Sequence, residues 1–242
     1  MRVGVYIDGF NLYYGARGIC GKGTSGWRWL DLRALAVHLL GKSSWANSTV
    51  ERVVYCTARI GGTDNPVGAQ EQDVYLRALQ ANGSIDELAM GVYVTRTAVN
   101  PLAVEGRRGR PKIVHPGWPI MIQNGAQQPE PQAVFLARVA RREEKGSDVN
   151  VASHLLIDVM DGKVDAAVVI SNDSDLEFPI KQMRLRLPIG LVNPTKGYPA
   201  GKLNGDPSAG AGSHWWYQLT ATDLRHHQLP LTCGKATKPG PW

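Results

Sequence analysis

The chain has 242 residues, of which 43% are hydrophobic and 20% are charged. This ordinary globular composition excludes a fibrous or largely disordered protein and allows one large domain with a substantial core. The formal net charge of +6 favours an anionic partner, and nucleic acid is the first polyanion to consider. We expect no membrane span, because no run of about 18 apolar residues occurs. The three cysteines share no metal-ligand spacing and predict a reducing, cytoplasmic location.

Apolar segments rich in β-branched residues alternate with helical patterns along most of the chain. This alternation predicts an α/β fold with a central, mainly parallel sheet covered by helices. Strands are predicted at 3–7, 52–56, 91–94, 166–170 and 188–192, and helices at 31–40, 69–80, 149–160 and 176–185.

The stretch 95–132 interrupts this alternation and is rich in proline and glycine. Partial alternation at 134–141 predicts a further strand, so we interpret the whole as an inserted loop or hairpin arm. Its basic cluster is either a flap that contacts phosphate or a solvated surface loop. The same arm offers a surface through which two chains could associate as a homo-oligomer. The cluster consists of Arg107, Arg108, Arg110 and Lys112.

The C-terminal part is predicted to continue the same domain rather than to form another one. A glycine-rich stretch at 198–212 is either a mobile loop near the sheet or a simple connection, and a helix is predicted at 221–226. Residues 233–242 are predicted to be a frayed tail. The expected organisation is therefore a catalytic domain at 1–195, a loop and helix at 196–232, and the tail.

Acidic residues follow two of the predicted strands. Asp8 comes directly after the first strand, while Asp173 and Asp175 follow the strand at 166–170. Ligands of open α/β sheets bind outside the carboxyl ends of the strands, so these acids can converge. Each also has a simpler interpretation, since Asp–Gly is a common turn, Asn11 could cap a helix, and 171–175 could do no more than cap the next helix.

A third acid, Asp148, precedes the apolar helix at 149–160. Ser147 alone would satisfy the helix N-terminus and leave Asp148 free to point into a cleft. Alternatively, Asp148 could simply complement the helix N-terminus, and Glu143 and Glu144 could be no more than exposed charges at a strand end. Because gathered carboxylates repel one another unless a cation neutralises them, the pattern predicts a divalent metal site.

Three segments in this order closely resemble the signature segments of the NYN domain family, PIN-like proteins related to nucleases. They are 6–12, 143–149 and 169–176, and the resemblance covers roughly residues 1–195. It implies a PIN-like three-layer α/β/α sandwich, a Mg²⁺ or Mn²⁺ cofactor and hydrolysis of RNA phosphodiester bonds, with endonucleolytic cleavage favoured. Asn172 stands where many relatives have glycine, and the basic insertion is not a family hallmark.

The resemblance also assigns roles to single positions. Asp8, Asp148 and Asp173 match the acidic metal-site positions, Asp175 is the accompanying acid, and Asn11 is the polar residue that supports the first acid. Hard carboxylate oxygens suit such hard cations. Lys145, Arg17, Lys181 and the basic cluster of the insertion are the expected phosphate contacts.

Several alternatives stay open. The partner is expected to be RNA, with DNA as the alternative. A non-catalytic RNA-binding or regulatory protein could use the same fold. A phosphatase with a nucleophilic aspartate is disfavoured, because Phe10 stands where a second acid would be needed. Trp27 and Trp29 could stack on bases or simply pack near the first helix.

Overall fold

The computed structural model describes residues 1–62 and 65–242, except for the side chain of Arg108. Six helices and eleven strands are formed within these residues. The helices are α1 (Gly9–Cys20), α2 (Leu32–Lys42), α3 (Pro66–Ala81), α4 (Ser147–Met160), α5 (Glu177–Arg184) and α6 (Ala221–His226). The strands are β1 (Arg2–Asp8), β2 (Thr49–Ala58), β3 (Glu87–Pro101), β4 (Ala103–Glu105), β5 (Pro111–Ile113), β6 (Leu136–Lys145), β7 (Ala166–Ile170), β8 (Ile189–Asn193), β9 (Trp215–Gln218), β10 (Thr232–Cys233) and β11 (Ala236–Thr237).

Seven strands form one sheet in the order β6-β3-β2-β1-β7-β8-β9. The pairings of β1 with β2 and β7, of β2 with β3, and of β8 with β7 and β9 are all parallel. Helices flank this sheet, which confirms the predicted three-layer α/β/α sandwich with a mainly parallel centre. The predicted strand at 134–141 corresponds to β6, which begins and ends a few residues later.

The side-chain alternation of β1 divides the core between the two faces of the sheet. Val3, Val5 and Ile7 belong to the core under α1, α2 and α3, whereas Tyr6 belongs to the core under α4 and α5. Successive residues of a strand point to opposite faces, so a strand that is apolar throughout must be covered on both. The β-branched runs of β1 and β7 are therefore central strands.

The chain changes direction across the sheet between β1 and β7. From β1 it runs outward through β2 and β3 to β6, then returns through α4 to β7 on the other side of β1. Parallel pairing places Ile7 opposite Ile170, so the two strands end at the same level. Such a switch point opens a crevice at the carboxyl edge, where α/β proteins bind ligands.

The chain divides into two compact units, and the second comprises Val94–Glu143. The predicted insertion at 95–132 lies within this second unit. Strands β4 and β5 pair antiparallel there, with Ala103 opposite Ile113. Glu143 forms ion pairs of 2.7 Å with both Arg96 and Arg141.

The prediction of a frayed tail is wrong. Strands β10 and β11 pair antiparallel, and Trp242 is buried with its ring 6.0 Å from Trp29 and 5.7 Å from Tyr75. Burying a large aromatic ring contributes enough to order a short terminal segment. Within the described ranges, no helix combines the length and apolar character needed to cross a membrane.

Candidate metal centre

Three acids from separate elements meet at the carboxyl edge of the sheet. Asp8 ends β1, Asp173 follows β7, and Asp148 lies in the first turn of α4. One carboxylate oxygen of each residue lies within 4.8 Å of the other two. The predicted convergence of Asp8, Asp148 and Asp173 is therefore present in the structure.

Asp8 is buried and held by two hydrogen bonds. Its Oδ1 accepts from the backbone N–H of Asn11 at 3.0 Å, and its Oδ2 accepts from the hydroxyl of Ser171 at 3.0 Å. Asp8 is thus the N-cap of α1, and the alternative in which Asn11 caps the helix is wrong. The side chain of Asn11 instead accepts from the backbone N–H of Asn172 at 2.9 Å and ties α1 to the loop after β7.

Asp173 occupies a short loop that is braced by its neighbours. Its backbone N–H donates to the Ser171 hydroxyl at 3.1 Å, and its own Oδ1 accepts from the backbone N–H of Asp175 at 3.0 Å. Asp175 is exposed and lies outside the three-acid cluster. Its backbone N–H orients Asp173, and its charge contributes to the raised pKa of Asp148.

Asp148 is placed by the turn that joins β6 to α4. Gly146 is the N-cap of α4 with a left-handed backbone (φ 100°), and Ser147 is the first helical residue. The prediction that Ser147 caps the helix is therefore wrong. Oε1 of Glu144 accepts from the backbone N–H of Ser147 at 3.1 Å and from its hydroxyl at 2.8 Å. Glu144 thus satisfies the start of α4, and it also lines the cleft.

Burial and neighbouring carboxylates raise the pKa of two of the acids, Asp148 and Asp8. Burial, followed by the charges of Asp8, Asp173, Glu144 and Asp175, raises the pKa of Asp148 to about 7. Burial also raises the pKa of Asp8, against the opposing hydrogen bonds from Asn11 and Ser171. A cluster that resists ionisation in this way is one that a bound cation would relieve.

The acids line an open cleft of about 370 Å³. The cleft is also lined by Thr195 and Lys196, from the loop after β8, and by Phe10 and Tyr14 of α1. Sequence reasoning missed Glu144, Thr195 and Lys196. The rule that found Asp8 and Asp173 at strand ends would have found Thr195 and Lys196 if it had also been applied to β8.

Of the predicted phosphate contacts that the structure describes, none is among the residues that line the acidic cleft. Lys145, Arg17 and Lys181 are not among the residues that line the cleft, whereas Lys196 is. Arg107, Arg110 and Lys112 are exposed in the second unit, and the side chain of Arg108 lies outside the described residues.

The two tryptophans near the first helix do not offer free ring faces. Trp27 and Trp29 are both buried, and Nε1 of Trp29 donates to the carbonyl of Pro230 at 2.7 Å. They therefore pack in the core, and the alternative in which they stack on bases is wrong.

Fold and site together define an α/β sandwich with a carboxylate-lined cleft at its switch point. No family model matches the chain. An alignment of 214 positions, covering 81% of this chain, gives 32% identity to the 6-hydroxy-3-succinoylpyridine 3-monooxygenase HspA of Pseudomonas putida, a relative that is by name an enzyme. The chain spans 61% of that relative's length. A solved structure of a protein of unknown function from Vibrio parahaemolyticus is similar at a TM-score of 0.41 and 12% identity, covering 89% of this chain and 91% of that one.

Proposed function

We propose that this protein is a metal-dependent ribonuclease that hydrolyses RNA phosphodiester bonds in the acidic cleft. The observation that carries the proposal is the convergence of Asp8, Asp148 and Asp173, with carboxylate oxygens within 4.8 Å of one another in an open cleft. Purely structural acids are usually paired with cationic side chains, whereas clustered carboxylates are typical of divalent metal sites.

The three side chains fit a hard divalent cation. All three donors are carboxylate oxygens, which Mg²⁺ and Mn²⁺ prefer. Burial, together with the neighbouring carboxylates, raises the pKa of Asp148 to about 7, so a bound cation would favour its ionised form. When bound, such an ion supplies an activated water and stabilises the charge that develops on phosphoryl oxygens.

The chain's own residues hold the acids in position. The Ser171 hydroxyl and the Asn11 N–H fix both oxygens of Asp8, and the same hydroxyl anchors the backbone of Asp173. Asp148 must release its proton before it can act as a ligand. Lys196, which also lines the cleft, supplies a positive charge for a substrate phosphate.

Two further features support RNA as the substrate. The net charge of +6 favours a polyanion. The three acidic segments resemble those of the NYN domain family, and that resemblance is the basis for preferring RNA to DNA. That Lys196 binds a substrate phosphate is likewise part of what we propose.

The name of the relative raises a second candidate function, oxygenation of a hydroxylated pyridine. The donor set of the cleft favours hydrolysis. Metals that activate oxygen are commonly bound through imidazole. Among the described residues, the cleft is lined by four carboxylate side chains and by no histidine. The two candidates call for different substrates, so one set of assays separates them.

The test uses labelled single-stranded and hairpin RNA with Mn²⁺, Mg²⁺ or EDTA, and Asp8→Asn as the matched variant. We expect metal-dependent products that EDTA and the variant abolish. Oxygen consumption with 6-hydroxy-3-succinoylpyridine and added NADH is measured in parallel, because a monooxygenase needs a two-electron reductant to convert the second oxygen atom to water. Turnover of that compound without RNA cleavage would replace the proposal by oxygenation, and RNA binding without cleavage in either metal would replace it by a binding role.

A further inference from the structure

A second cavity, of about 450 Å³, is lined in part by residues of β8 and β9, the last two strands of the central sheet. Its walls combine aromatic and aliphatic side chains with a single guanidinium group. They include Tyr198, Trp215, Trp216, Leu191, Leu203 and Arg184. A mixture of aromatic surface and one fixed positive charge suits a planar ligand that carries negative charge.

Among the described residues, no acidic side chain neutralises the charge of Arg184. Its Nη2 donates to the carbonyl of Leu203 at 3.0 Å, and its Nε is buried without a partner in the described part of the chain. No carboxylate forms an ion pair with Arg184 among those residues. Burial accordingly lowers its pKa with no opposing contribution from an acid. An anionic group in the cavity would supply the missing counter-charge.

Two aromatic rings of this cavity are left open to solvent. Tyr198 is 93% exposed and Trp216 is 58% exposed. Exposed rings beside an arginine are the usual elements of sites for single-stranded nucleic acid, because a base can stack on the ring while the cation meets a phosphate.

The second cavity adjoins the acidic cleft through one short loop. Lys196 lines the cleft and Tyr198 lines the second cavity, and two residues span at most about 7 Å between Cα atoms. The side chain of Asn172 holds this loop, since it donates to Oγ1 of Thr195 at 2.8 Å and accepts from the backbone N–H of Ala200 at 2.6 Å. Asn172 also follows the Ser171 that braces the acids, so both surfaces share one support.

We propose that the cavity lined by Arg184, Tyr198 and Trp216 binds an unpaired nucleotide that flanks the one held at the acidic cleft. Its base stacks on the exposed rings, and its phosphate is attracted by Arg184 and Lys196. The inference rests on the proposed function in one respect, namely that the ligand is RNA.

The test measures binding without turnover. Fluorescence anisotropy in EDTA measures the affinity of the parent protein, Tyr198→Ala and Phe178→Ala for a labelled single-stranded RNA of 12 nucleotides. Phe178 is a matched control, because it is 71% exposed and lines neither cavity. Tyr198 is almost fully exposed, so its replacement leaves the core intact. We expect Tyr198→Ala to weaken binding about tenfold and Phe178→Ala to leave it unchanged.

A second series places one abasic ribose at each position of the RNA in turn. At one position the lesion should weaken binding to the parent but not to Tyr198→Ala, because the base and the ring are partners in the same contact. Equal binding by the parent and Tyr198→Ala, an identical abasic profile for both, or no detectable RNA binding would overturn the inference.

The cleavage assay separates this inference from the proposed function. Tyr198-dependent binding with no cleavage in any metal would retain the nucleotide site and reject the nuclease. Metal-dependent cleavage with binding that is indifferent to Tyr198 would retain the nuclease and reject the nucleotide site.

Discussion

The hydroxyl of Ser171 donates to Oδ2 of Asp8 across the junction of two parallel strands, at 3.0 Å. The hydroxyl oxygen of Ser171 also accepts from the backbone N–H of Asp173 at 3.1 Å, so one buried hydroxyl links two acids of the cluster. Ile7 and Ile170 lie opposite each other in the sheet. The distance between the first and third acids is therefore fixed by strand register and one serine.

Ser171→Ala should loosen the cluster and destabilise the fold. The substitution leaves the Asp173 N–H without its acceptor and Oδ2 of Asp8 without its donor, at a cost of about 1–2 kcal/mol. Urea unfolding measures the stability, and calorimetric titration with Mn²⁺ measures the affinity, which should fall. Ser174→Ala is the control, since that hydroxyl makes no hydrogen bond within the described ranges. Equal effects of the two substitutions would contradict the bridging role.

Asp8→Asn should abolish cleavage while the fold persists. Removal of groups that merely support metal ligands typically costs 10- to 100-fold in affinity or activity, so loss of a ligand should cost at least about 100-fold. Asp175→Asn should cost less than about tenfold, because its carboxylate lies outside the cluster. Initial cleavage rates in Mn²⁺ give the comparison, with circular dichroism to check folding. If Asp175→Asn proved as damaging as Asp8→Asn, the assignment of the three ligands would be wrong.

Asp148→Asn should stabilise the metal-free protein at pH 8 but not at pH 4. The pKa of Asp148 is raised to about 7 in the folded chain, against about 3.9 when unfolded. Near pH 4 and below, both states increasingly hold the proton. As pH rises towards 7, the unfolded state releases it while the folded state keeps it, so stability is lost across this window and stays lost above it.

The expected gain at pH 8 in EDTA is about 1–2 kcal/mol after allowance for solvent screening. Thermal unfolding at the two pH values measures it, with Glu51→Gln as control, because Glu51 is exposed and its charge does not contribute to the raised pKa of Asp148. Added Mn²⁺ should reverse the order, because only the parent gains stability from a bound ion. An equal change at both pH values would show that ionisation of Asp148 is not the cause.

Gly15→Ala should destabilise the protein although alanine is the better helix former. A Cβ at Gly15 would collide with the carbonyl of Pro194, which directly precedes Thr195 and Lys196 of the cleft. Overpacking of this kind costs about 1–3 kcal/mol. Gly18→Ala is a matched control in the same helix, since a Cβ there meets nothing within 4 Å, and it should stabilise by up to about 1 kcal/mol. Urea unfolding compares them, and a gain from Gly15→Ala would refute the close contact.

The central strands were predictable because continuous β-branched runs are typical of buried parallel strands. The prediction at 166–170 coincides with β7, and that at 3–7 lies one residue inside each end of β1. Strand β9 was not predicted, because its four residues are too short for a clear period. That the C-terminal hairpin and Trp242 are ordered was not predictable, because Trp242 is held by contacts with Trp29 and Tyr75, which are remote in sequence.

The acidic ligands were predictable for a related reason. Asp8 and Asp173 each follow a recognisable strand, and the edge of a parallel sheet collects such residues. Glu144 was missed because its orientation depends on the left-handed turn at Gly146 and on its bonds to Ser147. Lys196 was predictable by the same rule from the end of β8, whereas the hydrogen bonds of Asn172 and Asn193 that hold its loop depend on residues remote in sequence.

The left-handed turn at Gly146 separates two kinds of selection on this chain. Its φ of 100° strains any residue with a Cβ. Because α4 starts from this turn, selection for the fold alone would retain glycine at position 146 even if the activity of the cleft were lost. The aspartates carry the opposite information, because relief of their repulsion would stabilise a metal-free protein. In descendants of this chain, glycine at position 146 would therefore report the fold, and acids at 8, 148 and 173 would report a working site.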